Sequence, residues 1–206
     1  MNLLYVTPAE LFAWVGAESD PGLKKQKRRF LEARTAMGPG PVEDQLLRLM
    51  VWVGAKLYTG ATHTKIVETL DILEDGNAWC DQQTKVFGFF AWHLLGVHAR
   101  EMAVRHSDGH NGHAIVEAEY SDGWHVFDVH GEHQAVYRHP DDGHLMSWAE
   151  LSERPDVVAA EDHWWRGSNG VGKEGFYTPA LPPTTYENFD YYTFNQLPEG
   201  LREGPR

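Results

Sequence analysis

The chain has 206 residues, of which 42% are hydrophobic and 23% charged, so it can bury the core of one globular domain without covalent staples. Its net charge of −12 excludes broad phosphate-backbone binding and disfavours anionic membrane surfaces, so neither nucleic acid nor a membrane is an expected partner. A single cysteine excludes an intramolecular disulfide and any zinc site built on several thiolates.

The first residues, Met-Asn-Leu-Leu-Tyr-Val-Thr-Pro, lack the basic start and long apolar run of a secretory signal. No apolar stretch reaches membrane-spanning length, and a cytoplasmic location is expected. Thr7-Pro8-Ala9-Glu10 predicts a helix start with a capping box, and Leu11, Phe12 and Val15 give it an apolar face. A basic helix is predicted from Leu23 to about Met37, broken by Gly38-Pro39-Gly40-Pro41; its Lys24–Arg29 cluster reads as a solvated face. Apolar residues at helical spacing from Val42 (Leu46, Leu49, Met50, Val53, Leu57) predict a buried helix ending before Gly60. A further helix is predicted over 64–73, followed by a loop at Glu74–Asn77. From Asp81 to Leu95 the pattern is helical again, with Gly96 as terminator.

Strand patterns begin there. Ala99–Val104 is one candidate. His113–Tyr120 and Trp124–Val129 form the clearest hairpin, around Ser121-Asp122-Gly123. Ser147–Leu151 predicts a short helix capped by Ser147. From Asp162 onward the chain is rich in Trp, Tyr, Phe, Gly and Pro without a regular period, which predicts an ordered tail packed on the domain. Helices first and strands after make an α+β arrangement rather than alternating βαβ units.

A lone cysteine is most often a small buried hydrophobe. Cys80 differs in its setting, at a predicted helix start just after a loop. The positive helix end and its free amides favour a thiolate and can donate to an oxyanion, while the neighbouring Asp81 opposes the charge. A thiol nucleophile also needs a base, and the base needs an orienting group. His113 opens one strand of the hairpin and Asp128 ends the other. A tight turn at Asp122-Gly123 would set Asp128 opposite Glu117, and a shifted register would set it opposite His113. Either way alternation leaves His113 and Asp128 on one face, against which the helix N-terminus must dock. Glu117 reads as a cross-strand structural contact.

Three segments then resemble the transglutaminase-like family. Gly76-Asn77-Ala78-Trp79-Cys80-Asp81-Gln82-Gln83, with Leu94-Leu95-Gly96-Val97-His98-Ala99-Arg100 at the helix end, is similar to its nucleophile segment. Gly112-His113-Ala114-Ile115-Val116-Glu117 resembles its Gly-His-Ala-Trp-Val-Glu strand, and Gly123-Trp124-His125-Val126-Phe127-Asp128 its Gly-Trp-then-Asp strand. The likeness covers roughly residues 70–135; His98 stands where a Pro is usual and Ile115 where a Trp is usual. It implies a transglutaminase-like (papain-like) core, with N-terminal helices and then a central helix packed on an antiparallel sheet. It also implies a catalytic triad of Cys80, His113 and Asp128, forming a thioester from an amide or ester that water or an amine resolves. The expected substrate is a peptide or protein amide, with hydrolysis favoured over transamidation because water is always present. No cofactor is expected.

The expected organisation is one transglutaminase-like domain over 1–206. It comprises a helical part (about 1–75), a catalytic core (about 76–140) and an aromatic-rich irregular part (about 141–206). Nothing in the sequence sets an oligomeric state. Trp79, Gln82 and Gln83 are candidates for the site wall or the oxyanion contacts, with packing roles the alternative. Two other classes stay open. One is a His-ligated metal enzyme using residues among His106, His110, His113, His125, His130 and His133. The other is an inactive module that binds peptide or glycan on aromatics such as Trp148, Trp164, Trp165, Tyr177, Tyr186, Tyr191 and Tyr192.

Overall fold

The computed structural model describes residues 3, 6–60, 64–105, 112–121, 123–130, 134–154, 157, 184–185 and 201. Helix α1 (Pro8–Gly16) carries the expected capping box: Thr7 Oγ1 accepts from Glu10 N at 3.3 Å, and Glu10 Oε2 accepts from Thr7 N at 2.7 Å. Helix α2 (Pro21–Met37) begins before the expected Leu23, because Asp20 Oδ1 accepts from Leu23 N at 2.8 Å and Pro21 fits the first turn. Helix α3 (Val42–Lys56) buries Leu46, Leu49, Met50, Trp52 and Val53, close to the predicted stripe.

The next helix corrects the sequence reading. It was expected over 64–73, but α4 runs Thr69–Asp75. The preceding carbonyls are taken by side chains of the following helix instead of by helical amides. Gln82 Nε2 donates to Thr64 O (3.3 Å) and Ile66 O (2.7 Å), and Lys85 Nζ donates to Val67 O (3.1 Å). At the other end α4 runs into the expected loop and stops at Gly76, whose φ of +76° is left-handed. Helix α5 (Cys80–Leu95) and its Gly96 cap match the predicted element, with Cys80 itself as the first helical residue.

Strands β1 (His98–Arg105), β2 (Gly112–Tyr120), β3 (Gly123–Asp128), β4 (Ala135–Val136) and β5 (Thr184–Thr185) make one sheet in the order β4-β3-β2-β1-β5. All the pairings are antiparallel. Helix α6 (Trp148–Glu153) follows β4 and is capped by Ser147 as expected. The aromatic region from Asp162 onward lies outside the described residues, except for β5 on the sheet edge and Leu201, which is buried in the core.

The sheet separates two apolar clusters. On one face, Ala99, Val116, Ala118, Phe127 and Val129 meet Val86, Phe87, Phe90 and Leu94 of α5 and, beyond it, α1–α4. The approach is close: a Cβ on Gly88 would stand 3.4 Å from the Ala99 Cβ. On the other face, Met102, Ile115 and Val126 meet Tyr137, Met146, Trp148 and Leu151. The central helix on an antiparallel sheet is thus the α+β arrangement expected from the element order.

Candidate active site

The loop that delivers Cys80 is pinned to the end of α3. Tyr58 N donates to Gly76 O and Ala78 N to Tyr58 O, both at 2.9 Å, forming a short parallel bridge between Tyr58 and Asn77. Gly60 N donates to Asn77 Oδ1 at 2.8 Å. A Cβ at Gly60 would lie 2.6 Å from that same oxygen, so any other residue would have to displace the Asn77 side chain. The chain then enters α5 through Trp79, whose extended backbone N–H donates to Gln82 Oε1 at 3.2 Å. Cys80 is half-buried at the head of the helix, where the first-turn amides have no intrahelical acceptor.

His113 is buried near the start of β2, and Asp128 is fully buried at the end of β3. His113 Nε2 lies 2.9 Å from Asp128 Oδ2. Cys80 lies close enough to act on the same imidazole through its side chain. With Nε2 on Asp128, the ring's other nitrogen, Nδ1, is the atom left for the sulfur. Asp128 Oδ1 accepts from His130 N at 3.2 Å, so both carboxylate oxygens are engaged. Burial alone would push the His113 imidazole down. The charge and hydrogen bond of Asp128, and then Cys80, more than reverse this and raise it to about 10. These contacts favour the protonated form of His113.

Two details of this geometry differ from the sequence reading. Tyr120 pairs with Gly123, so the turn falls one residue earlier than Asp122-Gly123. The Val116–Phe127 pair then sets Asp128 level with Ile115, diagonal to His113 and midway between the two registers considered. Parity still leaves the two on one face. That face, however, is the one α6 covers: α5 packs on Val116 and Ala118, the residues that alternate with Ile115 and Glu117. The expectation of a helix docked on the His113 face is therefore not met, since α5 packs on the opposite face of the sheet.

The remaining candidates occupy defined places. Gln82 Oε1 receives the Trp79 amide, and its Nε2 donates to Thr64 and Ile66, tying the 64–66 segment to the helix start. Gln83, fully buried, donates to Ala78 O at 2.8 Å and to Thr59 Oγ1 at 3.4 Å. Trp79 is 37% exposed beside Cys80. Glu117 has the structural contacts expected of it: it accepts from Arg100 Nε (2.8 Å) and Nη2 (2.6 Å) and from Trp148 N (2.6 Å).

Sequence reasoning did not single out Thr59, and it read His130 only as one of several histidines. The structure puts Thr59 Oγ1 2.9 Å from His130 Nε2 and the His130 ring edge-on to His113, with centroids 5.4 Å apart. Nothing local to Thr59 could have signalled this, since its partners lie 24 and 71 residues away. Glu101 was also unremarked. Burial pushes its carboxyl up to about 7, Thr84 Oγ1 at 3.2 Å pulls it back, and the charges of Asp81 and Lys85 act in opposite directions.

Of the histidines considered for a metal, His106, His110 and His133 lie outside the described residues. His113 is bonded to Asp128, His130 to Thr59, and His125 Nδ1 to Leu145 O at 2.5 Å. Of the aromatics considered for a binding groove, Trp148 is buried in the α6 cluster; the others named lie outside the described residues. No helix among the described residues is long and apolar enough to cross a membrane.

No protein-family profile matches the chain, and no curated protein matches it in sequence. Among solved structures, it is similar to a TGase crystal structure at 13% identity, covering 69% of this chain and 40% of that one, with a TM-score of 0.44. It is also similar to Legionella pneumophila LapG. The calcium-bound form gives 11% identity over 74% of this chain and 81% of that one, with a TM-score of 0.46. The EGTA-treated form gives 10% identity over 70% and 76%, with a TM-score of 0.44.

Proposed function

We propose that this chain is a transglutaminase-like cysteine enzyme that cleaves or transfers an amide acyl group through a thioester, with a peptide or protein as substrate. Cys80 is the nucleophile, His113 the general base and then acid, and Asp128 the group that orients and charges His113. The observation that carries the reading is a buried imidazole 2.9 Å from a fully buried carboxylate, with the Cys80 side chain acting on the same ring.

The chemistry follows from those contacts. With its proton on His113, the Cys80 sulfur attacks the amide carbonyl carbon. The oxyanion faces the free amides at the head of α5. As the C–N bond breaks, His113 gives its proton to the departing amine and leaves a thioester. Water, or an acceptor amine, then loses a proton to His113 and attacks the same carbon. The C–S bond breaks, the acyl group leaves, and the thiolate–imidazolium pair is restored. No step calls on a metal or a cofactor. The upward shift of His113 supports this reading, because a protonated imidazole is one half of such a pair.

The test is the pH dependence of Cys80 alkylation by iodoacetamide, read by intact mass in the wild type and in His113→Ala. Fast labelling well below the ordinary thiol range of about 8.5, slowed by His113→Ala, is the expected outcome. An ordinary thiol profile in both proteins would leave an inactive scaffold. With an amide substrate in hand, Cys80→Ala is expected to abolish acyl-enzyme formation while the protein unfolds at its usual denaturant midpoint. Turnover retained in that variant would remove Cys80 from the mechanism.

A further inference from the structure

The turn between β4 and α6 carries a group of side chains that the proposed chemistry does not use. We propose that His139, Asp142 and His144 bind one divalent transition-metal ion of the zinc type, with Glu150 orienting His144 behind it. One donor atom from each of the three lies within 4.8 Å of the donors of the other two. Two imidazoles and one carboxylate form a borderline donor set, which suits Zn2+ or Co2+ rather than the all-oxygen preference of Ca2+ or Mg2+.

The backbone holds the ligands in place. Arg138 and Leu145 bridge across the base of the turn, His139 N donates to His144 O at 2.9 Å, and Gly143 N donates to His139 O at 2.8 Å. Gly143 takes a φ of +78°, a conformation that permits this tight return, and Arg138 Nη1 donates to its carbonyl at 2.7 Å. Pro140 fixes one further backbone angle. The two imidazoles consequently stack with centroids 5.0 Å apart and planes within 11°.

The donor atoms are already gathered. Asp141 N donates to His139 Nδ1 at 3.3 Å, so that nitrogen is unprotonated, and an ion bound to it would displace this long contact. The same nitrogen stands 3.7 Å from Asp142 Oδ1, too far for a hydrogen bond and near enough for one ion to reach both. His144 Nδ1 donates to the same Asp142 oxygen at 2.6 Å, and the ion would take the place of that proton. Its far nitrogen, Nε2, lies 3.0 Å from Glu150 Oε1. Glu150 is itself held by Ser147 N and Oγ, both at 2.8 Å, in the cap of α6. A carboxylate on the far nitrogen of a ligand histidine fixes its ring and raises its basicity, as in metal sites generally. Asp141 Oδ2, 3.8 Å from His139 Nδ1, or water can complete the coordination. The ion would tie the β4 turn to the first turn of α6.

The experiment is titration of the full, tag-free chain with Zn2+ by calorimetry and with Co2+ by visible d–d absorption. The expected result is one equivalent bound, with an affinity of micromolar order. His144→Ala is expected to weaken it by at least ~10-fold, and Glu150→Gln by about 10-fold. Because the chain has twelve histidines, the deciding variant is His139→Ala/His144→Ala. Loss of the tight equivalent in that variant, with an unchanged circular dichroism spectrum, establishes the site. Equal affinity in the double variant, or no stoichiometric binding by the wild type, overturns it.

Discussion

The two faces of the sheet are built on different physics. The α5 face is apolar and aromatic. Phe90 lies 5.2 Å, centroid to centroid, from each of Phe30, Trp52 and Phe89, mostly edge to face. The α6 face has a smaller apolar cluster, and in the same strand rows it buries His113, Glu117 and Asp128, each paired with another side chain. A packed aromatic layer gives rigidity and fixes where the head of α5 stands. A layer of paired charges gives chemistry. The candidate site lies where one meets the other, with the thiol supplied by the first and the imidazole and carboxylate by the second.

The comparison is broken most severely by removing the aromatic layer. Phe90 is fully buried and touches three other rings. Phe90→Ala should cost about 3–5 kcal/mol through lost transfer energy and the cavity left behind. Urea unfolding reads this directly. If the two faces are separable, Cys80 alkylation in the folded fraction keeps its His113-dependent pH profile. A lost profile with a small change in midpoint would mean that α5 is positioned by something other than this layer.

Removing one charge from the other face comes next. Glu117 is fully buried and accepts from the Arg100 guanidinium and from the first amide of α6. Glu117→Ala should destabilise by about 3 kcal/mol, the lower part of the range for a broken buried pair, because Arg100 is 36% exposed and can rehydrate. The loss should concentrate in α6, where Trp148 N is left without its acceptor, and amide exchange would locate it. Uniform loss across the helices would instead make Glu117 part of the global core.

How much of this was legible in the sequence follows the same division. Where local chemistry decides, the reading held: the Thr7 box, the α5 pattern and its Gly96 cap, the Ser147 cap, and the hairpin's alternation. Parity alone put His113 and Asp128 on one face before the register was known. Where distant side chains decide, it did not. The residues at 64–67 have helical spacing, but Gln82 and Lys85 take three of their carbonyls. The layer that α5 covers depends on which alternate residues are apolar on three strands together, and no single strand states that. The Thr59–His130 contact and the His139–His144 turn are likewise products of the folded chain.

The smallest effects concern pH, and here the two faces should respond in opposite directions. His93, on α5, packs against Phe30 and Phe89, and burial holds it down at about 4. Its folded value lies below the usual 6.5, so the unfolded chain takes up the proton first. The stability it contributes is present above about 6.5 and is lost as pH falls toward 4, by about 3 kcal/mol at most. His113 is raised instead, so its contribution is complete below the usual histidine range and is lost as pH rises from there toward about 10. Urea midpoints of the wild type against His93→Leu, at neutral pH and near pH 4.5, isolate the first effect from the titrating carboxylates. The variant should lose less stability on acidification. The alkaline arm compares the wild type with His113→Gln, in which the loss above neutrality should shrink. If both histidines destabilised the fold in the same pH direction, the contrast between an apolar face that rejects charge and a polar face that requires it would fail.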